Sequence, residues 1–347
     1  MIKKCINSYH SIARINFNNL RIILNEWKFN LPQVKPYYAI KSYPNKDLIK
    51  FLATNELDIG FDCASKTEIK KVESYKKDII LANPMRSIDD ILYAKKSNIK
   101  KIVIDSVEEV EILKKVYPEC GIIIRTLSDE LFSQIKFNKK FGANEEGIRE
   151  ILYLIKLYRL NHLGYSFHVG SKCYNVSAYI NTINNILEIN GKHPKIIDIG
   201  GGFDRILLLV DLGEELKRMN LKSNMIAEPG RLFSNNILDI YCKITNVKRR
   251  IIDGNEVLYI TINDSVYHSF NGKIFDGQTF DPLPLYNENE NIRCLIFGQT
   301  CDSLDLIADK VLPKPRINDV LLFKNVGSYS LASSNGKFNG FTSCKLI

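Results

Sequence analysis

From Tyr37 to Ala227 the chain alternates short β-prone apolar runs with amphipathic stretches of helical spacing. No other feature restricts its fold as tightly. The pattern predicts strands at Tyr37–Ile40, Leu57–Asp62, Ile79–Leu81, Ile102–Ile104, Gly121–Arg125, Gly164–His168, Ile196–Ile199 and Met225–Ala227. It predicts helices at Asn45–Asn55, Ser65–Tyr75, Ser87–Ser97, Val107–Val116, Gly147–Leu160 and Ser177–Asn190. A helix at Asn18–Phe29 precedes them, with Leu20, Ile23, Leu24 and Trp27 on one face, and Pro32 and Pro36 break it. Strands joined through helices run parallel, because the helix carries the chain back to the same edge. About eight such units predict a closed TIM (β/α)8 barrel rather than an open sheet.

Past Glu228 the rhythm changes. Leu238–Val247, Glu256–Asn263, Arg293–Gly298 and Asp319–Lys324 read as strands with no long amphipathic helix between them, which predicts a second, mostly antiparallel domain beginning near Leu232–Asn236. A 347-residue chain that is 45% apolar buries a large core in about two domains and is not disordered. It has no long uncharged apolar run to span a membrane, and its first residues turn polar too early for a signal peptide. The net charge is +9, but the lysines are scattered among acidic residues, which does not suit a nucleic-acid binder. The eight cysteines form no CxxC pair and no zinc spacing with histidine. No metal is therefore expected, and a reducing, cytoplasmic compartment is.

In such a barrel chemistry gathers at the strand ends. Lys41, Asp62, Arg125, His168, Gly200–Gly201–Gly202 and Glu228 all stand there. Lys41 closes the apolar run Tyr37–Ile40, where desolvation would lower its pKa and leave a free amine for carbonyl chemistry; a lysine that merely reaches solvent fits the same position. The glycine run follows the apolar run Ile196–Ile199, and Gly230-Arg231 follows the last strand. Two glycine-bearing loops late in a barrel suit a phosphate. Glu228 could pair with a pyridinium nitrogen or an arginine, and His168 could stack on a ring or be a satisfied core histidine. Cys301-Asp302 and Asp276 are the polar candidates of the second domain.

Taken together these segments resemble the eukaryotic-type ornithine decarboxylases, pyridoxal-phosphate enzymes of the alanine racemase fold. The strings PYYAIKSYPN (36–45), GFDCASKTEI (60–69), HVGSKC (168–173), DIGGGF (198–203), AEPGR (227–231), GQTCDSLD (298–305), NVGSYSLASS (325–334) and FNGF (338–341) stand in that family's order. The resemblance implies a cofactor-binding barrel over 18–235 and a β-barrel or sandwich domain from 1–17 and 236–347, so that the N-terminal segment completes the second domain. It implies that Lys41 holds pyridoxal 5'-phosphate through its amine, that Glu228 keeps the pyridine nitrogen protonated and that His168 stacks on the ring. Ser171, Gly200, Gly201, Gly202, Gly230, Arg231 and Tyr329 would hold the phosphate. Asp62 and Arg125 would sit beside Lys41, with Glu68 in support. Cys301 would reprotonate Cα after carbon dioxide leaves, Asp276 and Asp302 would bind the distal amine, and Phe338 would line that pocket. Cys301 and Asp302 would reach the partner subunit's site, which implies an obligate homodimer.

The resemblance has departures. Lys172 stands beside Ser171 where the family has a small residue, Gln299 replaces a proline before Thr300-Cys301, and Phe275 replaces a tyrosine beside Asp276, with Gly277-Gln278 following. The stretch between Gly202 and Glu228 is short, and the chain ends soon after FNGF, without the C-terminal degradation tail of vertebrate relatives. The reading implied first is decarboxylation of a basic amino acid, L-ornithine to putrescine, in polyamine biosynthesis. Arginine and lysine are the near alternatives. Diaminopimelate fits less well, because its distal carboxylate would meet two aspartates. An inactive, antizyme-inhibitor-like binding protein is the reading from another class, opposed by the retained Lys41, Asp62, Arg125, Tyr267, Cys301, Gly327 and Tyr329. An amino-acid racemase is the third. Whether antizyme is a partner is not legible in the sequence.

Overall fold

The computed structural model describes every residue except Asp204 and Asn335. The chain divides into two compact units, one from Ile22 to Phe233 and one from Met1–Arg21 with Ser234–Ile347.

The first unit closes eight parallel strands into a ring in chain order: Val34–Ala39, Gly60–Cys63, Ile79–Leu81, Lys101–Ile104, Gly121–Arg125, Asn161–Ser166, Ile196–Asp198 and Asn224–Ala227. The last pairs with the first through Met225↔Val34 and Ala227↔Pro36, so no edge remains to be covered. Tyr37, Ile80, Val103, Ile123, Ile196 and Ile226 fill the interior. Helix starts are set by local chemistry. Asn45 and Asn144 accept from their helices' first backbone N–H groups, and Ser87 with Asp90 forms a reciprocal capping box.

The strands at Ile79–Leu81 and Gly121–Arg125 and the helices at Val107–Val116 and Ser177–Asn190 lie where the periodicity puts them. Several element ends shift by up to three residues, and three differences in the barrel stand out. The strand expected from Leu57 starts only at Gly60, because Leu57 and Asp58 lie outside the ladder. The interval between Ile199 and Met225, read without a helix, holds a 14-residue one at Ile206–Met219. Its apolar start, Ile206–Val210, hides the amphipathic period, and the Arg205 side chain makes no capping hydrogen bond; Leu208, Leu209, Leu212 and Leu216 form the buried face. The loops after the fifth and sixth strands also pair, through Ser133–Ile135 and Ser171–Cys173, in a two-stranded antiparallel sheet.

The second unit is built on Leu238–Ile252, a 15-residue strand. Its first half pairs antiparallel with Ile12–Ile15 and with Val320–Phe323, and its second half with Asn255–Ile262. The N-terminal segment thus completes this sheet. Asn255–Ile262 pairs parallel with Asn291–Phe297, which pairs antiparallel with Leu306–Pro313. That last strand escapes the sequence pattern, because Asp309, Lys310 and Val311 are exposed in a row and break the two-residue alternation. This unit is thus a separate, mostly antiparallel sheet of eight strands, as the sequence predicts.

Trp27 anchors the helix Asn18–Asn30 to the barrel. It is fully buried, meets Phe203 and Phe233 edge-on at 5.3 and 5.5 Å, and donates its ring N–H to the Val34 carbonyl at 2.9 Å. Trp27→Ala removes all of these contacts and leaves a cavity. It should cost about 3–5 kcal/mol in chemical unfolding of the barrel, and Trp27→Phe clearly less.

Candidate active site

Barrel closure brings the carboxyl ends of the strands onto one rim. The first strand leads into a tight turn, Ile40–Ser42, that carries Lys41. The Lys41 ammonium lies 3.5 Å from Asp62 on the second strand. Asp62 is buried, whereas the Lys41 side chain is 48% exposed. The desolvated lysine expected from the sequence is therefore a half-exposed one, because the turn carries it past the strand end to the open rim. Behind Asp62, Glu68 accepts from the Ala64 N–H at 2.7 Å, and burial pushes its carboxyl up.

On the adjoining arc, the Gly200 N–H donates to Asp198 Oδ1 at 2.9 Å, and the Glu228 N–H donates to the Gly200 carbonyl at 2.7 Å. The carboxyls of Glu228 and Asp198 are close enough to perturb one another. Burial and then Asp198 push Glu228 well above the usual carboxylate range, and burial pushes Asp198 up to about 7. Two such groups retain a proton between them, as carboxylates sharing a site do. Arg125, at the end of the fifth strand, is drawn down by burial and held up by Glu228, Asp105, Asp198 and Asp62. Its guanidinium lies 4.5 Å from the centre of the Phe141 ring.

His168 accepts from the Gly170 N–H at Nδ1, 3.1 Å away, which leaves the ring proton on Nε2. Burial, with Arg125 and Lys41 nearby, holds its pKa well below the ordinary value, so the ring is neutral. Phe137 meets it edge-on at 4.8 Å. Gly201 lies against it: a Cβ there would stand 2.8 Å from His168 Nε2. Gly200 is left-handed, and a Cβ on it would lie 2.1 Å from the Phe167 carbonyl oxygen. Arg231 donates to the Ser171 hydroxyl at 3.2 Å, joining the sixth and eighth loops as an anion-binding pair.

The second unit holds its own cluster. Cys301 is exposed, and its N–H and Sγ approach Asn339 Oδ1 at 3.1 and 3.3 Å. Asp302 accepts from the Tyr267 hydroxyl, and Tyr267 stacks on Phe338 at 4.0 Å. Asp276 is 8% exposed and accepts from Gln278 at 2.6 Å, and Gln278 in turn donates to the Ser328 carbonyl, next to Tyr329. The structure thus gathers Lys41, Asp62, Arg125, His168, Ser171, Gly200–Gly202, Glu228, Gly230 and Arg231 in the barrel unit, and Asp276, Cys301, Asp302, Tyr329 and Phe338 in the other. Sequence reasoning missed Asn339 and Asp198. The FNGF string and the strand end before the glycines were their only signals.

An amine, a carboxyl pair of raised proton affinity, a neutral aromatic face and a loop pair that could meet an anion suit a phosphorylated pyridine aldehyde, in a barrel where Gly200 and Gly201 leave no room for a Cβ. The donor set fits pyridoxal phosphate. Residues 18–235 match the pyridoxal-dependent decarboxylases in their pyridoxal binding domain, and the chain belongs to that family, whose cofactor is pyridoxal phosphate.

The relatives extend beyond the barrel. The chain is 34% identical to an ornithine decarboxylase of Caenorhabditis elegans over 349 residues, covering 91% of this chain and 82% of that one. It is 33% identical to antizyme inhibitor 2 of Xenopus laevis, over 90% of this chain and 75% of that one. The arginine decarboxylase of Paramecium bursaria Chlorella virus superposes with a TM-score of 0.90 at 28% identity, covering 100% of this chain and 98% of that one. Among the described residues no cluster of His, Cys, Asp and Glu could hold a metal, and no helix is long and apolar enough to cross a membrane.

Two outcomes test this geometry. Gly201→Ala crowds His168 and should weaken cofactor binding about tenfold or more, read by titrating the cofactor's absorbance band. Because His168 stays neutral in the folded chain while it protonates near pH 6.5 in the unfolded one, stability should fall as pH drops below 6.5, by up to about 1.4 kcal/mol per pH unit. His168→Asn should flatten that slope.

Proposed function

We propose that this chain is an ornithine decarboxylase that converts L-ornithine to putrescine and carbon dioxide, as a cytoplasmic homodimer with shared active sites. The juxtaposition of the Lys41 amine with buried Asp62, 3.5 Å apart, carries the reading of an active enzyme. Bound pyridoxal phosphate supplies an electron sink for decarboxylation of an α-amino acid. Lys41 would hold it through its side-chain amine. Glu228 and Asp198 keep a proton at the ring nitrogen, and neutral His168 covers one ring face without adding charge. Ser171, Gly200, Gly201, Gly202, Gly230, Arg231 and Tyr329 bind the phosphate, and Asp62 and Arg125 orient the Lys41 amine. Asp276 and Asp302 pair with the substrate's distal ammonium, because a cation leaving water needs a counter-charge. Phe338, stacked on Tyr267, walls its methylene chain. Cys301 Sγ, supplied by the partner subunit, delivers the proton that replaces the carboxylate on Cα.

The kinship to an antizyme inhibitor favours a second reading, a binding protein without turnover. The intact lysine, carboxyl pair and anion loops oppose it. Carbon dioxide release from ornithine, lysine, arginine and diaminopimelate by the cofactor-loaded chain decides. Highest kcat/KM on ornithine supports the proposal, preference for arginine or lysine moves the substrate, and no release from any of them favours the binding protein. Lys41→Ala should abolish both turnover and the bound-cofactor absorbance band. Cys301→Ala should lower kcat and make the product of misplaced protonation appear; mixed with Lys41→Ala it should regain part of the activity, since one site per mixed dimer is intact.

A further inference from the structure

The turn bearing Asp276 is built around a glutamine. The short helix Gly272–Phe275 ends at Asp276, and the backbone N–H groups of Asp276 and Gln278 both donate to the Gly272 carbonyl, each at 3.0 Å. Gly277 between them is left-handed, with φ +58°, and folds the Gln278 side chain back over the turn. Gln278 Nε2 then donates to Asp276 Oδ2 at 2.6 Å and to the Ser328 carbonyl at 2.8 Å, while Oε1 accepts from the Ser330 hydroxyl at 3.3 Å. Both amide hydrogens and the amide oxygen are engaged. The opposite amide orientation would set its oxygen against two acceptors, so the contacts fix which way the amide faces. Packing fixes the side chain further. A Cβ on Gly272 would lie 2.6 Å from the Gln278 amide carbon, so a larger residue there would push the amide out of its present place. Ser328 and Ser330 are fully buried, which anchors the far end of the bridge.

We propose that Gln278 is a positioning residue that fixes the Asp276 carboxylate and thereby sets the length of diamine the site selects. The inference rests on Asp276 receiving the distal ammonium, as in the proposed function. A neutral amide fits this role, because it restrains the carboxylate without supplying a counter-charge that would compete with the substrate's ammonium. It also ties the substrate-binding carboxylate to the Ser328–Ser330 segment that carries Tyr329. Substrate length is thereby measured from a fixed point on the chain. A residue without the amide leaves the carboxylate able to turn, which blurs discrimination between diamines one methylene apart.

The test uses the full chain loaded with cofactor. Gln278→Met keeps the side-chain volume and removes the hydrogen bonds; Ser330→Ala removes only the outermost one. Affinities for putrescine and cadaverine are measured by calorimetry, which needs no turnover, alongside kcat and KM for ornithine and lysine. The expected result is a rise in KM for the preferred amino acid of about tenfold in Gln278→Met, with kcat altered much less, and a matching collapse of the putrescine-to-cadaverine affinity ratio. Ser330→Ala should move the ratio the same way by less, and it keeps the proposal testable if Gln278→Met does not fold. An unchanged diamine ratio in folded Gln278→Met, while Asp276→Asn loses diamine affinity, overturns the positioning role alone. An Asp276→Asn variant that binds both diamines as the parent does overturns the placement of Asp276, and this inference with it.

Discussion

Closure of eight short parallel strands into a ring is the constraint on which the barrel site depends. The strands are three to six residues long, so each contributes only a few ladder hydrogen bonds. In a ring every strand has two neighbours, and the pairing of Asn224–Ala227 with Val34–Ala39 removes the last edges. The same closure puts the first-strand lysine, the second-strand aspartate and the seventh- and eighth-strand carboxyls on one rim, although they span residues 41 to 228 of the chain. The rim then crowds together acidic groups that burial strips of water. The buried carboxyl pair answers by holding a proton, and Arg125 by balancing four acidic groups.

Much of the barrel was legible because apolar periodicity and capping residues agree there. Ser177–Asn190 and Gly121–Arg125 were delimited to the residue, and the strand ends named in the sequence carry the site. Where the periodicity is masked the reading failed, as in the apolar-led helix Ile206–Met219 and the strand Leu306–Pro313 with three consecutive exposed residues. The residues in the family strings were named from the sequence. Those acting through another residue were not. Asn339 beside Cys301, Asp198 beside Glu228 and Gln278 on Asp276 are recognised only once the chain is folded, because they meet between distant segments, across neighbouring strands and through a left-handed turn, respectively.

The two units solve different problems. The barrel holds its carboxyls at perturbed affinity for protons by burying them. The sheet unit instead holds its polar groups by neutral donors and acceptors, with a tyrosine on Asp302, an asparagine at Cys301 and a glutamine on Asp276. Neutral partners restrain a group without supplying a counter-charge, which would suit the roles proposed for Asp276, Asp302 and Cys301.

Trp27 is the only tryptophan in the chain, and it lies sealed between the helix Asn18–Asn30 and the barrel. Its indole emission is therefore a built-in reporter for one unit alone. Light from this residue shifts to the red when the ring of strands opens, while the sheet from Leu238 onward contributes no indole signal at all. Following emission beside circular dichroism, which sees both units, separates the melting of the barrel from that of the sheet without any label.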